Sequence, residues 1–524
     1  MKKLIFRTLT ALVLFAPIAS CNQSPEPEKI FELKKGAEQG DAEAQFKIGL
    51  MYALGKEVRQ DYVEALKWFR LSAAQGNAGA QGNLGVMYAN GRGVRQDYAE
   101  ALKWFRLSAA QGYDVPQYSI GFIYENGHGV RQDYEEALKW YHLSAAQGNS
   151  EAQRRIGVFY YKGYGVKQDY VEALKWLRLS AAQGNAGAQR DIGLSYVKGE
   201  GVSQDYAEAL KWFRLSAAQG NAGAQYDIGL MYANGEGVRQ DYVEALKWYR
   251  LSAAKGDSDA QFNLGLMYAK GYGVRQDYAE ALKWYHKAAA QGDAKAQYNI
   301  GWFYKNGYSV RQDYIEALKW YRLSAAQGNT EAQFNIGVMY EKGYGVRQDY
   351  VEALKWYLLS ATQGNALAQY NTGVMYHKGM GVRQDYTEAL KWYRLSAAQG
   401  NAGAQSNLGV MYVMGVGVRQ DYAEALRLLR LSAEKGYDFA QCNLGTMYAR
   451  GEGVKQDYGE ALKWYRLSAA QGNAEAQFNI GETYEKGQGV IQDESTAKEW
   501  YRKACDNNLK EGCEAYKKLA EQGY

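Results

Sequence analysis

Tryptophan returns every 36 residues along this chain. It stands at Trp68, Trp104, Trp140, Trp176, Trp212, Trp248, Trp284, Trp320, Trp356 and Trp392, then at Trp464 and Trp500. Leu428 fills the one gap, and no insertion breaks the spacing across thirteen copies. A length of 524 residues would ordinarily suggest several independent globular domains. So strict a period demands instead an array in which each unit touches only its neighbours.

The unit from Asn221 to Gly256 shows what each copy folds into. Asn221 is placed to cap a helix whose apolar residues Ala224, Ile228 and Met231 fall four and three apart. Gly235 and Gly237 stop it by supplying backbone angles that a Cβ disfavours. Asp241 and Glu244 then form a D-x-x-E arrangement similar to a capping box. Tyr242, Ala245, Trp248, Tyr249 and Ala253 mark the apolar face of the second helix, and Glu244 with Lys247 suits its solvated side. Three of the four prolines (Pro17, Pro25 and Pro27) lie in the first 27 residues, so the rest can be almost continuously helical. A lone hairpin of this kind cannot bury its apolar faces, and neighbours must stack. The fold class expected is all-α: an α/α superhelical solenoid of about thirteen 36-residue helix pairs, spanning residues 30–504.

These residues carry a resemblance. The pattern Ala-x-Ala-Gln-x-x-Ile/Leu-Gly-x-x-Tyr, then Gly-x-Gly-Val, Asp-Tyr-x-x-Ala-x-x-Trp and Ala-Ala-x-Gly-Asn is similar to the Sel-like repeat, a relative of the tetratricopeptide repeat. Copies start at Ala42, Ala78, Ala222, Ala402 and Ala474, among others. The resemblance covers nearly all of residues 30–524 and implies a protein-binding adaptor or scaffold. Two copies depart from it. Tyr113-Asp114-Val115-Pro116 replaces the usual start of one first helix, where a disturbed turn is expected, and Leu428 removes one indole.

Residues 1–20 read as an export signal: Lys2, Lys3 and Arg7 precede an apolar run from Leu9 to Ala16, too short to span a bilayer comfortably. Ile18-Ala19-Ser20-Cys21 resembles the lipobox of bacterial lipoproteins. That resemblance implies a mature chain starting at a lipid-bearing Cys21, held by several acyl chains. Asn22 stands where an aspartate would mark inner-membrane retention, which favours the outer membrane, on its periplasmic face or at the cell surface. Residues 21–29 read as a short extended tether.

Residues 505–524 read as a C-terminal capping helix. There Cys505 and Cys513 flank a helix-to-helix turn, similar to the cysteine-rich branch of the same family, whose paired cysteines staple adjacent helices. Two free thiols are the other reading. Cys442 stands alone.

Chemistry is sparse. His142 and His286 share one repeat position four repeats apart, too far to share a metal, and neither His128 nor His377 has ligands at metal spacing beyond what the repeat explains. The Gly-x-Gly pairs follow no strand and so are helix stops, not phosphate cradles. Without the leader, 59 basic residues face 57 acidic ones, which is no footprint for nucleic acid. No catalytic residue, metal or cofactor is expected, although some cysteine-rich relatives were linked to penicillin binding or hydrolysis.

Variation within the repeat points to partners. After each Ala-Gln the residue changes: Phe46, Gly82, Tyr118, Arg154, Arg190, Tyr226, Phe262, Tyr298, Phe334, Tyr370, Ser406, Cys442 and Phe478. From the seventh copy onward the next residue is always asparagine: Asn263, Asn299, Asn335, Asn371, Asn407, Asn443 and Asn479. Asparagine offers a peptide backbone both donor and acceptor. The ladder therefore reads as a groove for an extended segment of another protein, with Phe262, Tyr298, Phe334 and Tyr370 supplying side-chain pockets. A solvated residue copied by duplication is the other reading. The expectation is a monomeric scaffold anchored in the envelope, with a surface effector or adhesin as the alternative.

Overall fold

The computed structural model describes residues 27–523. Among these are 28 α-helices and no strand, so the chain is the expected all-α solenoid of helix pairs. The leader and Cys21 lie outside the described residues. Of the expected tether only residues 27–29 are described, and these are helical rather than extended, since Pro27 opens the helix Pro27–Glu38. Proline suits that first position, where its missing N–H would have had no helical acceptor. No helix among the described residues is long and apolar enough to cross a membrane.

The chain divides into two compact units. One runs to Ala260 and takes in Tyr272–Val274; the other consists of Gln261–Gly271 and Arg275–Tyr524. Within each, a first helix packs against the second helix of its own repeat and that of the repeat before.

The unit that includes Ala222–Asn234 and Tyr242–Ala254 shows why these residues fold this way. Asn221 Oδ1 accepts the Ala224 N–H at 2.9 Å, and Asp241 Oδ1 accepts those of Val243 and Glu244 at 2.9 and 3.0 Å. The second cap is only half the expected box. The Asp241 N–H donates instead to Tyr232 O at 2.9 Å. That leaves Glu244 to hold Lys247 at 2.7 Å and the Trp248 indole N–H at 3.1 Å. Gly235 ends the first helix at φ 76°. Gly237 answers a second need: a Cβ there would lie 2.4 Å from Tyr206 Cβ of the preceding repeat.

Within each helix pair the contacts are polar as well as apolar. Ser252 Oγ, fully buried, donates to Ala222 O thirty residues earlier at 2.8 Å. Gln219 Nε2 donates to Gln189 Oε1 at 2.8 Å, and the same Gln–Gln bond recurs in most copies. These bonds fix how the two helices of a pair sit, and across the junction the buried Gln225 Nε2 donates to Ala217 O at 3.4 Å. The apolar core is centred on the aromatic residue after the tryptophan. Tyr249, Tyr321, Tyr357 and Phe213 are buried, whereas Trp248 is half-buried. Each core ring lies across the glycine of the first helix: a Cβ on Gly337 would meet the Tyr357 ring at 2.6 Å.

The helix at Asp114–Asn126 is less disturbed than expected. It starts in register, with Pro116 in the first turn where its missing N–H costs no helical bond. What is lost is the cap, since Tyr113 makes no side-chain bond there. Leu428 is buried in the core it shares with Leu390 and Tyr393 of the preceding repeat. The last two helices are Glu494–Asp506 and Lys510–Glu521, joined by the Cys505–Cys513 disulfide with Cα atoms 4.5 Å apart.

Candidate functional site

The two variable positions of the first helix face each other across repeat junctions. The first variable residue of one copy meets the second variable residue of the next, 37 residues on. In the N-terminal unit these are ion pairs: Arg154 Nε to Asp191 Oδ2 at 2.8 Å, and Arg190 Nε to Asp227 Oδ2 at 2.6 Å. Burial pushes Asp227 above the usual carboxylate range, against the pull of Arg190. Arg155 adds a pair with Glu125 at 3.2 Å, and Glu125 also accepts the Tyr141 hydroxyl at 2.5 Å.

In the C-terminal unit the same row is neutral, and it holds the asparagine ladder. Asn335 is buried and fully engaged: its Oδ1 accepts from Lys305 Nζ at 2.9 Å and its Nδ2 donates to Glu331 O at 2.9 Å. Asn371 faces the Tyr357 hydroxyl and favours its ionised form, against burial. Asn407 Nδ2 donates to Tyr393 Oη at 3.2 Å, and Asn479 Nδ2 to Cys442 Sγ at 3.7 Å. Asn263 also has a partner. Among the described residues, the half-buried amides of Asn299 and Asn443 make no hydrogen bond. Part of the ladder is thus committed to stacking the repeats, and part is open.

The aromatic neighbours stand as pillars. Phe262, Tyr298, Phe334 and Tyr370 are half-buried, each ring tilted against the core tyrosine of its own repeat. The centroid distances are 5.8, 5.6, 5.7 and 6.1 Å, to Tyr285, Tyr321, Tyr357 and Tyr393. One edge of each is therefore in the core and the other faces the row. The 37-residue pairing is a feature that reading single positions missed, although an Arg followed 37 residues later by an Asp was visible at Arg154 and again at Arg190.

The remaining candidates stay apart. Burial pushes the Cys442 thiol up to about 12, so it is protonated at neutral pH. His142 and His286 each rest edge-on against the tryptophan of the following repeat, Trp176 at 5.1 Å and Trp320 at 5.3 Å. Among the described residues no three His, Cys, Asp or Glu side chains are grouped to hold a metal ion.

Burial lowers all four histidines below their ordinary value, with Glu172 and Glu316 pulling His142 and His286 the other way. The folded chain therefore binds these protons less readily than the unfolded one. Their contribution is complete above about pH 6.5 and is lost as pH falls through that value toward the lowered ones. A thermal melt followed by circular dichroism should show a lower Tm at pH 5.5 than at pH 7.5. Replacing His142 and His286 by arginine should reduce the difference. Arginine at that position bonds the next repeat's tyrosine elsewhere, as Arg322 does with Tyr340 at 2.8 Å. An equal drop in the variant would refute this assignment.

Comparison with known proteins agrees with the geometry. The Sel1 repeat pattern matches residues 42–77, 78–113 and 117–149, then ten further consecutive copies from 150–185 to 474–509. In the copy with the altered start the match begins only at residue 117, just past Pro116. A solved structure of c5321, a protective antigen of uropathogenic Escherichia coli with this repeat fold, is 36% identical. It covers 88% of this chain and 97% of that one, with a TM-score of 0.66. A Sel1 repeat protein from Oxalobacter formigenes is 35% identical over 59% of this chain and 89% of its own, with a TM-score of 0.46. No curated protein matches. Thirteen matched copies and a repeat geometry that obeys the same pattern make this chain a member of the Sel1 repeat family.

Proposed function

We propose that this protein is an envelope-anchored scaffold that holds extended segments of partner proteins along the row of first helices. Sel1 repeat proteins are generally protein-interaction scaffolds, and their folds are typically non-catalytic. The observation that carries the finer reading is the ladder itself. In the C-terminal unit it offers unbonded amides at Asn299 and Asn443, four repeats apart, with the aromatic edge of Tyr298 beside the first and those of Phe334 and Tyr370 on the row between them. A peptide lying along it would find donors and acceptors for its backbone, and apolar edges between them.

The test is capture of envelope proteins on the immobilised chain, compared with an Asn299→Ala, Asn443→Ala variant. A partner should be retained by the parent and weakened roughly tenfold or more by the variant, since each lost amide bond contributes about 1 kcal/mol. Equal retention with an unchanged melt would remove the ladder from the binding surface.

Anchoring rests on the sequence Ile18-Ala19-Ser20-Cys21. A Cys21→Ser variant should leave the detergent phase and no longer incorporate labelled palmitate; continued incorporation would contradict a lipid at Cys21. A second reading, a surface protein acting on host molecules, is favoured by the similar E. coli protein being a protective antigen. Protease digestion of intact cells would separate a displayed chain from a periplasmic one. A nitrocefin assay would test hydrolysis of β-lactams.

A further inference from the structure

The aromatic pillars of the first-helix row are interrupted at two consecutive copies. Phe334 and Tyr370 stand on their core tyrosines before the break, and Phe478 stands 5.2 Å from Tyr501 after it. Between them the position holds Ser406 and Cys442, which reach no further than the helix surface they sit on. At the second of these, Cys442 lines a cavity of about 860 Å³ in the C-terminal unit.

Its chemistry is graded. Met414, 68% exposed, stands at the mouth, and Leu509 lines it from the last inter-helix turn. The unbonded amide of Asn443 also lines it. Four carboxylates reach the cavity, two of them neutralised: Glu452 by Arg450 at 3.7 Å and Glu482 by Lys486 at 2.8 Å. Glu475 and Glu511, exposed beside it, have no ion-pair partner among the described residues. Leu509 and Glu511 both belong to the short loop closed by Cys505 and Cys513, so this wall is covalently fixed.

We propose that this cavity is the anchor pocket of the groove, taking one bulky apolar side chain of an extended peptide that carries lysine or arginine on either side of it. The inference rests on the groove reading above and adds its specificity. The apolar side chain fills the space beside Cys442 that a ring occupies in other copies, as anchors do at well-packed interfaces. Asn443 meets the backbone beside the anchor. The flanking cations meet Glu475 and Glu511, giving complementary charge that selects basic over acidic segments.

The decisive substitution is Cys442→Phe. It restores the ring that other copies carry in the same surroundings, as Phe334 does against Tyr357 at 5.7 Å, so the chain should fold normally. The probe is a fluorescein-labelled peptide, acetyl-Gly-Ser-Lys-Phe-Lys-Ser-Gly-amide, titrated against the full chain by fluorescence anisotropy. Binding should weaken roughly tenfold or more with Cys442→Phe, and equally when the peptide's phenylalanine becomes alanine or its lysines become glutamates. Circular dichroism melts of parent and variant should coincide. Equal binding of the probe by the parent and Cys442→Phe, or of the lysine and glutamate peptides by the parent, would overturn the proposal. If the probe is lost by the ladder variant but kept by Cys442→Phe, the groove stands and the anchor pocket falls. A parent that does not bind the probe also overturns it.

Discussion

Replacing Gly337 by valine should destabilise the C-terminal unit by about 3 kcal/mol, the upper range for forcing extra carbons into a packed core. A Cβ on Gly337 would sit 2.6 Å from Cδ1 and Cε1 of Tyr357, well inside contact distance. The ring has nowhere to go. It is fully buried, and its hydroxyl is tied to Glu341 Oε2 at 2.6 Å. The two helices must therefore part. Glycine here costs helix propensity, about 1 kcal/mol against alanine, and the close ring contact is what offsets it. Gly459→Ala is the matched control. In that second helix the nearest foreign atom to a new Cβ is Asp457 Oδ1 at 3.3 Å, and the same position carries Ala or Val in other copies. It should stabilise by up to about 1 kcal/mol. Urea titrations followed by circular dichroism would read both signs, and a neutral Gly337→Val would show that this contact does not set the helix spacing.

Tyr321→Ala should cost about 3–5 kcal/mol, as expected for emptying the site of a large core aromatic. Tyr321 is fully buried, its ring facing Gly301 at 2.7 Å from the position of a Cβ and Tyr298 at a centroid distance of 5.6 Å. Its hydroxyl is buried without a partner among the described residues, so Tyr321→Phe should be nearly neutral or slightly stabilising. Tyr357→Phe, which removes the hydroxyl's bond to Glu341, should instead cost about 1 kcal/mol. In a solenoid each repeat is held mainly by its neighbours, so the alanine lesion should split one unfolding transition into two. Native-state hydrogen exchange should place the weakened amides around residues 314–342. A single unbroken transition with uniformly faster exchange would argue against such local coupling.

The period, the helix pairs and their glycine stops were legible because each follows from local chemistry repeated thirteen times. The core partner was harder to read. Trp248 and Tyr249 are adjacent, and both are large. Here the indole stays half-buried with its N–H on Glu244 of its own helix, while Tyr249 fills the centre. The half-built cap at Asp241 was hidden for a similar reason: Glu244 had three suitors, and the lysine and the indole won. At Pro116 the sequence signalled a break, but a first-turn N–H has no helical acceptor to lose.

The ladder was visible as a column of identical residues, but not which of its members were already occupied. That depends on contacts between repeats, such as Lys305 with Asn335, that no single copy contains. The cavity near Cys442 was equally hidden, because it comes from what Cys442 lacks rather than from what it carries.

A rival surface exists on the second helices, where Leu323, Leu359, Leu395 and Leu467 recur about half exposed. Small patches of this kind are ordinary on soluble proteins, but a repeated stripe could also hold a partner. The most direct test is site-specific photocrosslinking, with benzoylphenylalanine placed at Tyr370 on the first-helix row or at Leu359 on the stripe. Crosslinks to a captured partner from position 370 and none from 359 are the expected result. Crosslinks from 359 alone would contradict binding along the first helices.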